Sequence, residues 1–326
     1  MHALQAARVM RQTEIPNAHA ADPAGRTPVG LRIGIVGIGL MGSGMAARLL
    51  EQGWPVAVRD IDPARTAAAA ALGATVCDTS AELAAICDCV IVGVVDAAQT
   101  KSVLFGPHGL AETLAPGAAV LLCPTIAPDE VERFERQLRR RGYGCIDAPM
   151  SGGPARARAG TMTLMVACDD ELFERHRTLF ASLCGRLFRI GTRPGDAART
   201  KLVNNLLAGI YLAAASEAMA LAKRIGLDPG LTLDVIEQSS GQSWIASDRL
   251  RRALAGDRAA HAHTALLAKD TRLALDMARA AGVHLPLGAP AAALYAAACE
   301  GGLAALDDSS LYEWLCGQGR PRPVGD

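Results

Sequence analysis

Arg32-Ile-Gly-Ile-Val36 is a strand-length apolar run, and Gly37-Ile38-Gly39-Leu40-Met41-Gly42 follows it at once. Ser43 to Gln52 then reads as a helix that Gly53 ends, and Pro55-Val-Ala-Val-Arg59 reads as a second strand closing on Asp60. Few folds accept a strand, a three-glycine turn, a helix and a second strand in that order. Gly37 permits the tight turn, Gly39 lets the backbone come close to a pyrophosphate, and Gly42 lets the helix pack closely on the strand. The helix start offers free N–H groups to the phosphates. A glycine triplet alone is a weak signal; in this context it implies a dinucleotide site at Gly37, Ile38, Gly39, Leu40, Met41 and Gly42.

Asp60 stands twenty-one residues after Gly39. An acid there accepts hydrogen bonds from the adenosine ribose hydroxyls and repels a 2′-phosphate. The expected cofactor is NAD, with NADP as the alternative because Arg59 and Arg65 stand close by.

Alternation continues. Helices are expected at Ala64–Leu72, at Ser80–Ile86 with Ser80 as the cap, after Asp96, and at Pro128–Arg141 as a charged, exposed helix. Strands are expected at Thr75–Cys77, Cys89–Val95, Ala118–Cys123, Gly144–Ala148, Met162–Ala167 and Arg186–Ile190. Strands alternating with helices imply an α/β fold, a Rossmann-type doubly wound parallel sheet. Ligands then bind at the carboxyl ends of the strands, where Gly37, Asp60, Asp96 and Thr125 lie. Ser151-Gly152-Gly153 follows the strand ending near Asp147, and its backbone N–H groups can form an anion-binding concavity. By itself the turn reads as an ordinary serine-glycine turn; its place at the carboxyl edge of the sheet, where substrate is expected, is what favours the anion-binding reading.

Gly195 to Gly226 is the longest helix-like run, rich in alanine and leucine and free of proline. A helix so apolar is expected to be buried. Lys201, Asn204 and Asn205 interrupt it, and Lys201 and Asn205, four apart, share a face. A buried lysine and buried amides are costly unless they have partners or work to do; an exposed polar stripe is the plainer alternative. Beyond Gly226 the pattern is helical, at Leu231–Gln238, Trp244–Ala255, Ala265–Ala281, Ala289–Glu300 and Ser309–Cys316. Lys269-Asp270 interrupts one apolar face; it reaches a cofactor or is a surface pair. His261 and His263 have no acidic or cysteine partner at a useful spacing, so no metal is expected.

A length of 326 residues suits two domains, and the formal net charge is zero. No basic run with interleaved aromatics suggests nucleic-acid binding. No stretch reads as long and apolar enough to span a membrane, so no membrane partner is expected. The nine cysteines have neither zinc nor disulfide spacing, which suggests a reducing compartment. The expected domains are a disordered extension over 1–30, an NAD-binding domain over 31–194, an all-helical substrate and oligomerisation domain over 195–318 and a flexible tail over 319–326.

The motifs Gly37–Ala46, Asp147-Ala-Pro-Met-Ser-Gly-Gly153, and Lys201 with Asn204-Asn205 together resemble the β-hydroxyacid dehydrogenase family, which includes 3-hydroxyisobutyrate and tartronate semialdehyde enzymes. The resemblance runs from Leu31 to about Trp314. Gln99–Gly106, Leu206–Gly209, Glu217–Ala222, Gly241–Trp244 and Asp307–Ser309 resemble its L-threonate branch. The chain departs from that branch at Asn204-Asn205, where the branch carries His-Gln. Pro124 replaces the family's usual serine, and Asp96 stands where apolar or amide residues are commoner.

The resemblance implies a Rossmann-type domain joined by a long helix to an all-helical domain, and hydride transfer between a small hydroxy acid and NAD. It makes Lys201 the catalytic acid/base and gives Asn205 the role of positioning that lysine and the substrate, with Asn204 beside it. It gives Ser151, Gly152 and Gly153 the substrate carboxylate, and places Val95, Thr125 and Lys269 near the nicotinamide. A free lysine has a pKa of about 10.4; burial and the positive ring of NAD+ lower it toward the working range. A cytoplasmic homodimer or homotetramer is expected. The rival readings are a non-catalytic nucleotide-binding scaffold and an imine reductase, and the presence of Lys201 with Asn205 argues against both.

Overall fold

The computed structural model describes residues 30–318. The expected extension, apart from Gly30, and the expected tail lie outside the described residues.

The chain opens β1 (Ile33–Val36), α1 (Leu40–Glu51), β2 (Val56–Arg59), α2 (Pro63–Ala71), β3 (Thr75–Val76), α3 (Ser80–Ala85), β4 (Cys89–Val92), α4 (Ala97–Phe105), β5 (Ala119–Leu122), α5 (Pro128–Arg139) and β6 (Gly144–Asp147). It continues with β7 (Met150–Ser151), α6 (Gly153–Ala159), β8 (Met162–Ala167), α7 (Asp170–Arg175), α8 (Arg177–Leu183) and β9 (Cys184–Gly191), then enters α9 (Asp196–Arg224). The sheet order is β3-β2-β1-β4-β5-β6-β8-β7, with β9 on β8. Pairing is parallel from β3 through β6; β1 aligns Ile33 with Val56 on one side and Cys89 on the other. The wholly parallel expectation stops at β8, which is antiparallel to β6 and β7. The chain turns back through the Ser151–Gly153 segment and α6, so it returns to the sheet running the opposite way.

Alternate strand residues point to opposite faces. Ile33, Ile35, Val58, Ile91, Leu121 and Ile146 join Met45 and Leu49 of α1 in one core, while Val36, Val90, Val92, Val120 and Leu122 join Leu104 and Phe134 in the other. Covered on both sides, these strands read as continuous apolar runs rather than alternating ones.

Three local expectations need correction. Thr79, not Ser80, caps α3: its side chain accepts from Glu82 N–H while Ser80 is buried. β4 ends at Val92, so Val95 lies in the following loop and is exposed. α5 is amphipathic rather than simply exposed, because Val131, Phe134 and Leu138 fall on one buried stripe.

Close packing divides the chain into two compact units, one ending at Lys201 and the other beginning at Leu202, inside α9. The second unit is helical: the remainder of α9, α10 (Pro229–Glu237), α11 (Trp244–Leu254), α12 (Thr264–Ala280), α13 (Gly288–Ala298), a π turn at Cys299–Leu303 and α14 (Ser310–Gln318). Leu212, Leu267, Tyr295 and Leu311 centre one core; Met219, Leu233, Leu250 and Tyr312 centre another. Buried ion pairs join α11 to the loop before α14, Arg249 to Asp308 at 2.6 Å and Arg252 to Asp307 at 2.9 Å.

α9 itself departs from expectation. By length and composition it could cross a membrane, against the reading that no stretch has that character; a core helix passes the same test. Nor is it wholly buried. Val203, Leu207, Tyr211 and Leu221 are exposed, because a helix apolar on every side has more apolar surface than its neighbours cover.

Candidate active site

The β1–α1 turn has the geometry its glycines imply. Gly37 adopts a φ of 89°. A Cβ on Gly42 would lie 2.1 Å from the Gly37 carbonyl oxygen, so any other residue there would push α1 off the turn. Beside Gly39 a Cβ would meet only the Arg65 guanidinium, at 3.4 Å, so its backbone has room on that side. Gly39 caps α1 without a side chain, and the first N–H groups of a helix have no intrahelical acceptor. A narrow glycine turn opening onto bare helical N–H groups fits a pyrophosphate.

Asp60, at the end of β2, turns its carboxylate into this loop. Oδ2 accepts from Ile38 N–H at 2.7 Å, and Oδ1 accepts from Asp62 N–H at 3.0 Å. Arg65 lies over the same corner, 3.9 Å from Asp60 and 3.2 Å from Asp62.

Beyond β4, Asp96 caps α4 by accepting from Gln99 N–H, and the Gln99 side chain accepts in return from Val95 N–H. This reciprocal cap fixes the loop that carries Val95. Thr125 follows β5 and is partly buried. Ser151 is pinned to the sheet through β7, opposite Thr163 of β8. Gly152 (φ 126°) and Gly153 (φ 75°) then swing the chain into α6. α6 packs on α1 where Gly44 leaves room: a Cβ there would meet Arg158 N at 3.0 Å and the Ala157 Cβ at 3.1 Å. The serine-glycine turn is thus tied to the helix of the dinucleotide motif.

Lys201 is buried, 7 % exposed, near the start of α9. The start of that helix is held by Asp147, whose Oδ2 accepts from Gly195 N–H at 2.7 Å and Ala198 N–H at 3.1 Å. In the helical unit Asn205 is half-buried, while Asn204 is exposed, against the expectation of two buried amides. Asn205 Nδ2 donates to Asp270 Oδ2 at 2.6 Å, and Asn204 Nδ2 donates to Asn205 Oδ1 at 3.0 Å. Lys269 Nζ lies 3.1 Å from the other oxygen of Asp270. The Lys269-Asp270 pair is therefore no loose surface pair: Asp270 is buried and links Lys269 to Asn205.

Comparison with known proteins bears on the family and the cofactor. Residues 32–191 match the family described as the NAD binding domain of 6-phosphogluconate dehydrogenase. Residues 195–315 match the family described as NAD-binding of NADP-dependent 3-hydroxyisobutyrate dehydrogenase. The L-threonate dehydrogenase of Cupriavidus necator is 38 % identical over 281 residues, covering 86 % of this chain and 95 % of its own length. The chain belongs to the 3-hydroxyisobutyrate dehydrogenase-like family. The L-threonate dehydrogenase of Escherichia coli K12 is 36 % identical over 87 % of this chain and 95 % of its own. The crystal structure of a 3-hydroxyisobutyrate dehydrogenase from Salmonella typhimurium superposes with a TM-score of 0.82 at 32 % identity, covering 87 % of this chain and all of that one.

As a 3-hydroxyisobutyrate dehydrogenase-like protein of the L-threonate type, the chain is an oxidoreductase of hydroxy acids with an NAD-binding domain. Within single units the structure joins Asp60 to the glycine loop and Asn204 and Asn205 to the Lys269-Asp270 pair. Sequence reasoning gave Asp147 no role, and gave Asp270 only the alternatives it shares with Lys269, a cofactor contact or a surface pair. Asp147 carried a readable signal, an acid at the carboxyl end of a strand; Asp270 carried only its adjacency to Lys269. His261, read as having no acidic partner, lies 3.4 Å from Asp257. Among the described residues no group of three or more His, Cys, Asp or Glu side chains could hold a metal ion.

Proposed function

We propose that the protein oxidises the hydroxyl of a small hydroxy acid of the L-threonate kind, using Lys201 as the general base and, in reverse, the general acid. The observation that carries this reading is a buried lysine one helical turn before Asn205, on the helix whose first turn is fixed to the strand leading into Ser151. Bound NAD+ supplies the hydride acceptor. Gly37, Ile38, Gly39, Leu40, Met41 and Gly42 hold its phosphates and Asp60 its ribose, which favours NAD over NADP. Val95, Thr125 and Lys269 are assigned to the nicotinamide end.

Ser151, Gly152 and Gly153 receive the substrate carboxylate and so orient the reacting carbon. Asn205 accepts from the Lys201 ammonium and donates to a substrate oxygen, with Asn204 beside it. 3-Hydroxyisobutyrate and tartronate semialdehyde are the alternative substrates, since Asn204-Asn205 is the general family's pair rather than the His-Gln of the threonate branch. Functionally the chain divides into an NAD-binding part over 31–194 and a helical part over 195–318. It works in the cytoplasm as a homodimer or homotetramer, and the exposed Val203, Leu207 and Tyr211 of α9, one turn apart, support association.

The deciding experiment assays L-threonate, D- and L-glycerate and 3-hydroxyisobutyrate with NAD+ and NADP+, and tartronate semialdehyde with NADH and NADPH, in wild type and Lys201→Ala. Turnover of at least one acid with NAD+, reduced about a thousandfold or more in the variant, is expected. Wild-type rates in Lys201→Ala would sink the assignment. Light scattering after size exclusion reads the oligomer directly.

A further inference from the structure

The start of α9 is held by a side chain far away in the sequence. α2, α3, α4, α7, α10 and α11 take their caps from the residue just before them: Asp62, Thr79, Asp96, Asp169, Asp228 and Ser243. Asp147, 48 residues upstream of Gly195, accepts instead from the N–H of Gly195, just before α9, and from that of Ala198 in its first turn. A local cap satisfies the donors of its own helix. A cap from a distant strand also fixes where that helix begins.

Asp147 is well placed to do this. It is the last residue of β6, in register with Leu122 of β5 on one side and Ala167 of β8 on the other. It is 1 % exposed. Four residues later the same segment reaches Ser151, and three residues after Ala198 the helix reaches Lys201. One side chain therefore joins the start of the helix that bears the lysine to the strand that leads into the serine-glycine turn. The other braces at this end, Arg199 to Glu132 and Asp196, and Arg193 to Asp196, are partly solvated ion pairs, which contribute little.

A carboxylate is an expensive choice here. Burial pushes Asp147 up to about 6, although the N–H groups of Ala198, Gly195 and Ala197 pull it down. The groups facing it are Asp196 on α9, which raises it further, and the thiols of Cys123, Cys145 and Cys168. Burial raises all three thiols far above neutrality, so they stay uncharged. A serine or asparagine would satisfy the same donors without burying a charge. What the carboxylate adds is a stronger, charge-assisted hold on the helix start.

We propose that Asp147 is a positioning residue of the reaction, holding the first turn of α9, and with it Lys201, against the strand that carries Ser151, Gly152 and Gly153. The proposal rests on Lys201 being the acid/base.

The test compares wild type, Asp147→Asn and Asp147→Ala in two measurements. Hydrogen exchange of the peptide spanning 193–201 reads the hold itself, whatever Lys201 does. Steady-state kinetics with NAD+ and the best acid of the panel, normalised to NADH-binding stoichiometry, read its consequence. Asp147→Ala is expected to deprotect the peptide and lower kcat by about a hundredfold, with the KM for NAD+ within about threefold of wild type because the phosphate loop is untouched. Asp147→Asn keeps an acceptor oxygen. It is expected to recover most of kcat, and to abolish the loss of protection expected of wild type as pH rises through about 6. Unchanged exchange in Asp147→Ala would overturn the tie, and a deprotected peptide with wild-type kcat would overturn the positioning role. If Asp147→Ala does not fold, persistence of the wild-type pH response in Asp147→Asn overturns the proposal. Activity in Lys201→Ala would instead remove the premise and leave the exchange result standing.

Discussion

The carboxylate of Asp60 accepts the backbone N–H of Ile38 at 2.7 Å. The residue expected to read the ribose of a bound dinucleotide thus also holds the loop proposed to cradle the phosphates. Each carboxylate oxygen has two lone pairs, so accepting from Ile38 and Asp62 leaves capacity for ribose hydroxyls. Asp60→Ala removes both functions together. NADH affinity, followed by fluorescence titration, should fall by about a hundredfold or more, beyond the loss of one ribose contact. Asp60→Asn keeps an acceptor for Ile38 and should fall by only about tenfold. Equal losses in the two variants would show that the link to Ile38 contributes nothing.

Arg65 bears on cofactor choice. Its guanidinium lies 3.9 Å from Asp60 and is half exposed, beside the corner where a 2′-phosphate would sit. Asp60 disfavours that phosphate and Arg65 opposes the disfavour. Arg65→Ala should therefore lower kcat/KM for NADP+ by about tenfold and leave that for NAD+ nearly unchanged. A matched loss with both cofactors would mean that Arg65 serves only to hold the Asp60–Asp62 turn.

The dinucleotide unit was legible because its chemistry is local. Glycine spacing, strand polarity and the acid at Asp60 all fall within about thirty residues, and each has one plain physical reading. The lysine helix was legible as an element, and Lys201 is buried as its apolar surroundings implied. The long-range contacts were not legible. Asp147 reaches across 48 residues to Gly195, and Asn205 across 65 to Asp270, and no periodicity encodes such pairings. The exposed flank of α9 was missed for a related reason, since apolar composition marks surface that prefers cover without saying whether its own chain covers it. The antiparallel return of β8 comes after the Ser151–Gly153 segment and α6, a reversal that a strand-helix alternation does not reveal.

Asp147 also makes stability depend on pH. Its folded value of about 6 lies above the ordinary 3.8, so the native state binds the proton more tightly than the unfolded chain does. The associated stability is present below the unfolded value and is lost as pH rises through about 6. The displacement corresponds to about 3 kcal/mol. Asp147→Asn does not titrate. Its stability relative to wild type should rise by up to that amount between about pH 4 and about pH 7, read from urea denaturation midpoints. A pH-independent difference would mean that Asp147 titrates normally in the folded protein.

Asp270 is the hinge of the second cluster. Its carboxylate takes the Asn205 amide at 2.6 Å on one oxygen and faces Lys269 at 3.1 Å on the other, and it is 6 % exposed. Removing it leaves a half-buried ammonium without this counter-charge and frees the Asn205 amide to rotate. Asp270→Ala should destabilise the protein by about 3 kcal/mol, and should lower kcat by about tenfold if Asn205 needs a fixed orientation to serve the reaction. Stability and catalysis separate in a double-mutant cycle with Asn205→Ala. If Asp270 acts on kcat through Asn205, the double variant should be no slower than the slower single variant, whereas independent roles would multiply the two losses. Multiplied losses would assign Asp270 to Lys269 instead, and Lys269→Met in the same cycle would then show the missing coupling.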